Sequence, residues 1–149
     1  KMKRHLYIIL ALLIASLTSS CESYLIHDEL DGFWQVQSIE NKQDGNITHC
    51  NGDIYYSFQR DLVLVSYLSP TIPQGQIKEN HIAYFTYEND TISMTDFRVY
   101  IDKDATPSPL SKLEKFGLYE TYNKFQVEEL RKNHLVLNSE KARIVMLRY

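Results

Sequence analysis

The chain has 149 residues, of which 44% are hydrophobic and 23% charged, with only 5 glycines and 4 prolines. This length supports one domain, and this composition excludes a disordered chain, a collagen-like chain and a polytopic membrane protein. Three of the 16 basic residues lie within the first 20 positions, where no acidic residue occurs, so the remainder has a formal charge of −6 against −3 for the whole chain. Such an acidic domain lacks the basic patch that nucleic-acid binding requires, so no nucleic-acid partner is expected.

The first 20 residues have the three parts of a secretory signal peptide. Lys1, Lys3 and Arg4 make a positive start, residues 6–15 are apolar, and small residues precede Cys21. Ten apolar residues rise only about 15 Å as a helix, half of the hydrocarbon core of a bilayer, so the segment is too short for a stable membrane span. We therefore predict that residues 1–20 are removed on export.

The small residues before Cys21 resemble the lipobox of bacterial lipoproteins, although Thr18 stands where leucine is usual and Leu17 lies one position earlier. The resemblance implies that Cys21 is the lipid-attachment site, that a membrane is a partner, and that the protein lies in the cell envelope, at the outer membrane. Two or more acyl chains anchor a protein stably. The alternative is a plain secretory signal cut near Ser20, which leaves Cys21 free or in a disulfide with Cys50.

Residues 21–30 are interpreted as a short tether and residues 31–149 as the folded domain. The 11 Tyr, 6 Phe and 1 Trp favour strands. Alternating and apolar segments predict strands over 32–39, 54–59, 62–67, 81–87, 91–97, 124–130, 134–138 and 143–149. The charged residues 128–132 leave a helix open as an alternative near the sixth of these strands. Residues 41–53, rich in Asn, Asp and Gly, and the proline-containing residues 69–75 predict loops.

One short helix is predicted between the fifth and sixth strands. Its apolar face consists of Leu110, Leu113 and Phe116. Ser111 followed by Glu114 has the spacing of a capping box, and Gly117 stands where a helix would end. About eight short strands and one short helix predict a mostly β fold, a small antiparallel meander barrel.

The first and last predicted strands carry a pattern that resembles lipocalins. Gly32-x-Trp34 opens the first strand, and Arg143 and Arg148 lie on the last. The final residues, 135–138 and 143–149, are also similar to small lipocalin-like lipoproteins of Bacteroidetes. The resemblance implies a lipocalin-like barrel in which Trp34 and Arg148 form a structural pair at the barrel floor. A guanidinium stacked on an indole face is a favourable contact.

Motifs for catalysis, phosphate binding or dinucleotide binding are absent from the sequence, so neither an enzyme nor a cofactor is expected. His49, Cys50 and Asp53 are the one local cluster of residues that bind metals. Three ligands from five residues of one loop would make a cramped site, so we interpret the cluster as a polar loop, with zinc as the alternative.

Aromatic residues are crowded into the first five strands. One set is a candidate surface for a ligand or a partner: Tyr56, Phe58, Tyr67, Phe85 and Tyr87. The alternative is an ordinary core with cross-strand pairs outside it. Two hypotheses follow. In the first, the protein is a lipid-anchored envelope module that binds a small apolar or amphipathic molecule in the barrel mouth. In the second, the barrel is fully packed and the protein is an interaction subunit of an envelope complex.

Overall fold

The computed structural model describes residue 27 and residues 29–68, 79–100 and 105–149. Within these residues the chain forms nine strands: β1 Gly32–Asn41, β2 Asn46–His49, β3 Ile54–Gln59, β4 Leu62–Tyr67, β5 Glu79–Glu88, β6 Thr91–Val99, β7 Tyr122–Arg131, β8 His134–Asn138 and β9 Ala142–Arg148. Helix α1, Leu110–Leu113, runs directly into a single 3₁₀ turn, Glu114–Phe116.

The strands form one closed antiparallel barrel. From β3 to β9 each strand pairs with the next along the chain, and β9 pairs back with β1. β2 and β3 share one edge of β1, with β2 on its second half and β3 on its first half, so together they occupy one place in the wall. The predicted barrel of about eight strands with one short helix is therefore confirmed.

The interior is filled because alternate residues along the strands other than β2 are mostly apolar and point inward. The largest fully buried side chains include Trp34, Tyr56, Phe58, Phe116 and Phe125. In β1 the register against β9 shifts between Val36 and Ser38. This bulge lets both Val36 and Ile39 face inward although they are three positions apart.

Three local predictions differ from the structure. Residues 41–53 contain β2, whose four residues are all exposed, so it has no buried alternate residues to reveal it. The capping box is wrong, because α1 begins at Leu110 and Ser111 lies inside it; the residue before the helix is Pro109 and makes no side-chain cap. The helical alternative near residues 128–132 is wrong as well, since β7 continues to Arg131. Gly117 does end the helical segment, in the left-handed conformation with φ 81°.

The barrel has two distinct ends. At the first, called the floor, β1 begins and β9 ends, and residues 29–31 lie beside it. At the second, called the mouth, β1 ends and the segment from Ala105 to Leu118, called the strap, lies against the barrel. Strap residues 106 and 108 make backbone hydrogen bonds to the mouth end of β6.

Part of the segment interpreted as a tether belongs to the folded body. Leu30 is fully buried, and the His27 ring lies 5.6 Å from the ring of Phe85 and 5.7 Å from that of Tyr87. The packed body thus includes residues before position 31. The predicted signal peptide and Cys21 lie outside the described residues. In the described part of the chain, no helix has the length and apolar character needed to cross a membrane.

Candidate binding site

At the floor, Arg148 and Trp34 are register partners on β9 and β1. The guanidinium carbon lies 4.4 Å from the centroid of the Trp34 ring. Arg148 also donates to the carbonyl oxygen of Asp31 at 2.9 Å and to that of Glu29. The buried indole donates its own N–H to the carbonyl oxygen of Leu30 at 2.8 Å. One cation and one indole therefore tie residues 29–31 across the floor.

Gly32 is required by the same contact. Its φ of +138° is one that residues with a side chain rarely adopt, and a Cβ there would lie 2.7 Å from Nη1 of Arg148. The glycine two positions before Trp34 therefore leaves room for the guanidinium that covers the indole. This is a physical reason for the spacing Gly32-x-Trp34.

The five aromatic residues proposed as one surface do not lie together on one. Tyr56, Phe58 and Phe85 are buried in the barrel interior, with the Phe58 and Phe85 rings 5.1 Å apart and nearly perpendicular. Tyr67 and Tyr87 are half-buried at opposite ends, Tyr67 at the mouth and Tyr87 towards the floor. The strand faces that carry these five aromatic residues point inward, so most of the five belong to the core.

The strap inserts apolar side chains into the mouth. Leu113, Phe116 and Leu118 are buried, and the hydroxyl of Tyr56 donates to the carbonyl oxygen of Phe116 at 2.7 Å. Burial raises the pKa of Tyr56 well above its usual value, so this hydroxyl remains a donor. A Cβ at Gly117 would lie 2.9 Å from Cδ1 of Ile144, so the strap fits closely onto the core.

Beside the strap a cleft of about 500 Å³ opens at the mouth. Its lining joins apolar side chains, two tyrosines and several polar groups: Ile39, Thr48, Asp53, Ile54, Tyr67, Glu114, Lys115 and Tyr119. Of the aromatic residues singled out from the sequence, Tyr67 alone lies here. Tyr119 was missed because it follows a helix end, where no strand pattern marks its direction. Burial, then the charges of Asp44 and Glu114, raise the pKa of Tyr119.

The rim of the mouth holds a cluster of charges around Glu79. Lys115 Nζ lies 2.5 Å from Oε2 of Glu79, and Lys112 Nζ lies 3.9 Å from Oε1. Burial alone would raise the pKa of Glu79, but hydrogen bonds from Lys115 and His81 and the lysine charges lower it overall. Lys115 also lies 5.0 Å from the centroid of the Tyr67 ring. The Lys115 ammonium is therefore already paired.

The cluster around Cys50 lies near this cleft. Cys50 is a half-buried free thiol, and burial, then the charge of Asp53, raises its pKa to about 11. His49 is exposed. Across residues 27, 29–68, 79–100 and 105–149, three His, Cys, Asp or Glu side chains are nowhere grouped as a metal site would need.

The comparisons with known proteins agree with this architecture. The family described as a lipocalin-like domain matches residues 15–149. An uncharacterized protein from Bacteroides eggerthii is 24% identical, with a TM-score of 0.61 over 80% of this chain and 99% of that one. A lipocalin-like protein from Bacteroides uniformis is 20% identical, with a TM-score of 0.57 over 81% of this chain and 99% of that one.

These two structures support the fold, and no curated protein matches the chain. The family match covers nearly the whole sequence, including every strand described above. The chain therefore belongs to the lipocalin-like domain family.

Proposed function

We propose that this protein is a lipid-anchored binding module of the cell envelope, at the outer membrane, and that it binds a small amphipathic molecule at the barrel mouth. The observation that carries the proposal is the cleft of about 500 Å³ beside the strap. Its volume lies within the range of small-molecule sites, roughly 300–1,000 Å³. The interior below it is occupied by core side chains, so the ligand lies in the mouth.

The lining of the cleft suits a molecule with an apolar body and a polar end. Ile39 and Ile54 offer apolar surface, and Tyr67 and Tyr119 add aromatic faces with polar tips. Because Lys115 is paired with Glu79, the remaining charges of the lining are the carboxylates of Asp53 and Glu114. This balance favours a neutral or cationic polar end over an anionic one.

A fluorescence titration with N-phenyl-1-naphthylamine, a neutral amphipathic probe, tests this site. We expect saturable binding that Tyr67→Ala and Tyr119→Ala weaken about tenfold or more, since truncating an aromatic contact removes over 1 kcal/mol. Tyr84→Ala is the matched control, because Tyr84 is an exposed tyrosine on the outer wall. Equal affinity in all four proteins would contradict the proposal.

The native ligand is sought by native mass spectrometry of the mature domain purified from its own host. A small co-purifying mass that the Tyr119→Ala variant lacks is the expected result. If the Tyr119→Ala variant kept the co-purifying mass and a variant disrupted at the floor lost it, the ligand would not bind at the mouth.

The anchor is tested separately with Cys21→Ala. A lipid-anchored protein should move from the membrane fraction to the soluble fraction, because the acyl chains provide the membrane affinity. Cys50→Ala is the matched control and should stay with the membrane. If Cys21→Ala also stays there, the anchor at this residue is refuted.

A second candidate function, docking to an envelope protein, is favoured by an exposed apolar group near the floor. Phe33 is 58% exposed and Tyr149 is 83% exposed, and Leu147 lies on the same outer wall. The Tyr149 ring packs edge-on against Tyr55 with centroids 5.5 Å apart. Loss of a co-purifying protein in Phe33→Glu, with probe binding at the mouth unchanged, would favour docking.

A further inference from the structure

A chain of hydrogen bonds links a serine, a histidine and a carboxylate where the strap meets β5. Oγ of Ser108 lies 2.7 Å from Nδ1 of His81. Nε2 of His81 lies 3.2 Å from Oε1 of Glu79. Ser108 and His81 are 27 positions apart, so the fold alone brings them together.

The partners of the imidazole determine the direction of the proton. Glu79 can only accept when charged, so Nε2 carries the ring hydrogen and Nδ1 presents its lone pair. The Ser108 hydroxyl therefore donates to Nδ1. A nucleophile that donates to an imidazole, which in turn donates to a carboxylate, has the order of roles found in serine hydrolases.

The environment keeps the imidazole neutral at neutral pH. The pKa of His81 is lowered overall, and burial is the largest cause. The hydrogen bond to Glu79 and the charge of Glu79 raise this pKa, whereas the charges of Lys115 and Lys112 lower it. The ring is 2% exposed, and its centroid lies 5.8 Å from that of Phe116. A neutral imidazole held between two partners can accept a proton without first losing one.

Ser108 is accessible and firmly held. It is half-buried and lines a second cleft, of about 280 Å³, together with apolar side chains that include Phe97, Leu113 and Tyr122. Its backbone N–H donates to the carbonyl oxygen of Phe97 at 2.8 Å. Pro107 and Pro109 on either side restrict the backbone, so the hydroxyl has a fixed place.

We propose that Ser108 is a nucleophile that accepts an acyl group from an ester, with His81 as its base and Glu79 as the positioning residue. Oγ of Ser108 bonds to the ester carbonyl carbon while its proton passes to Nδ1 of His81. The bond from that carbon to the alcohol oxygen breaks, and the departing oxygen takes the proton from Nδ1. The products are a serine ester and a free alcohol. Water, deprotonated by the same imidazole, then releases the acyl group as an acid and restores Ser108.

This activity goes beyond the binding proposed at the mouth and concerns a separate cleft. The second cleft suits a short acyl group, because its volume is small and Phe97, Leu113 and Tyr122 give it apolar surface. General-base assistance contributes on the order of 10²- to 10⁴-fold to such a step.

The test uses a fluorophosphonate probe, which bonds to activated serines with loss of fluoride, and p-nitrophenyl acetate as the ester. We expect the probe to add once, at Ser108 by peptide mapping, and both reactions to be lost in Ser108→Ala. Ser111→Ala is the matched control, since Ser111 is an exposed serine three positions further along the strap. His81→Asn offers Ser108 an amide acceptor without a base, and we expect labelling at least 100-fold slower.

A pH profile of labelling separates a base from a merely structural histidine. The groups around His81 are Glu79, Lys112, Lys115 and the Phe116 ring. In the wild-type protein, the labelling rate should decrease at acid pH as His81 becomes protonated. Glu79→Gln should shift the pH at which this decrease occurs. The proposal is overturned by absent labelling, by labelling at another residue, or by equal rates in wild type and a folded His81→Asn. Were His81→Asn not to fold, a flat wild-type pH profile would overturn it as well.

Discussion

Arg148 stabilises the floor of the barrel by the planar shape of its guanidinium group. One face of the group covers Trp34 while its N–H groups reach the carbonyl oxygens of Glu29 and Asp31. A lysine ammonium has a similar charge but can neither stack flat on an indole nor direct N–H groups from one plane. The interaction therefore depends on geometry more than on charge.

We expect Arg148→Lys to lower the free energy of unfolding by about 1–3 kcal/mol, because the carbonyl oxygen of the buried Asp31 loses its partner and Trp34 loses its stacked guanidinium. Urea denaturation, monitored by the fluorescence of Trp34, measures this free energy. Arg143→Lys is the matched control on the same strand, since Arg143 pairs with Glu128 where both are substantially exposed. Such surface pairs contribute about 1 kcal/mol or less. Equal losses in both variants would contradict the assigned role of the planar contact.

We expect Cys50 to react slowly with thiol reagents in the folded protein. Its pKa is raised from 9.0 to about 11. At pH 8 the reactive thiolate is therefore about 100-fold rarer than in the unfolded chain. The measurement compares rates of alkylation by iodoacetamide with and without denaturant. Asp53→Asn should speed the folded reaction only modestly, because burial is the larger cause. A folded rate equal to the unfolded one would contradict this environment.

Individual residues could be predicted from the sequence where a local pattern fixed their geometry. The pattern Gly32-x-Trp34 indicated a contact between Trp34 and Arg148, and the structure contains this contact. The side to which the aromatic residues point was uncertain, because tyrosine and phenylalanine fit either face of a strand. The contact between Ser108 and His81 could not be predicted, since no sequence rule relates positions 27 apart.

Among the elements, strands with a buried face were the most predictable. The predicted bounds of β3, β4 and β8 match the structure, and each of these strands has an inward-facing row. β2 was missed because it has no buried residue to produce alternation. Between β5 and β6, Asn89 and Asp90 adopt φ of 49° and 56°, as a tight hairpin requires.

The strap depends on two contacts that can be removed separately. We expect Phe116→Ala to lower stability by about 3–5 kcal/mol, since it empties a fully buried site. We expect Tyr56→Phe to lower stability by about 1–2 kcal/mol through loss of the hydrogen bond to Phe116, and to speed hydrogen exchange in the strap. Leu110→Ala is the control, because Leu110 is exposed on the same strap. Unchanged exchange in Tyr56→Phe would contradict the importance of that bond.

At the scale of the whole molecule, stability should depend on pH in two steps. The folded state keeps His81 neutral below its ordinary pKa of 6.5, so the unfolded chain binds a proton first as the pH falls. Stability is therefore lost from about pH 6.5 down to the lowered pKa of the folded state. The pKa of Glu79 is lowered from 4.5, so a second loss begins near that pH and continues below it.

Chemical denaturation at a series of pH values measures both steps. In His81→Asn we expect the first loss to be much smaller while the second remains. Substitution of the exposed His49 by Asn is the matched control and should leave both steps in place. A wild-type curve that is flat between pH 6.5 and 5 would contradict the neutral, buried state of His81.

The pairing of β1 with β9 has a consequence for how the chain folds. The hydrogen bond from Arg148 to Asp31 joins residues 117 positions apart, and β9 ends one residue before Tyr149. The barrel therefore cannot close until β9 has been synthesised, and contacts between distant residues make such closure slow. Under the export that we propose, this order keeps the chain unfolded while it crosses the membrane and delays the native state until β9 has crossed.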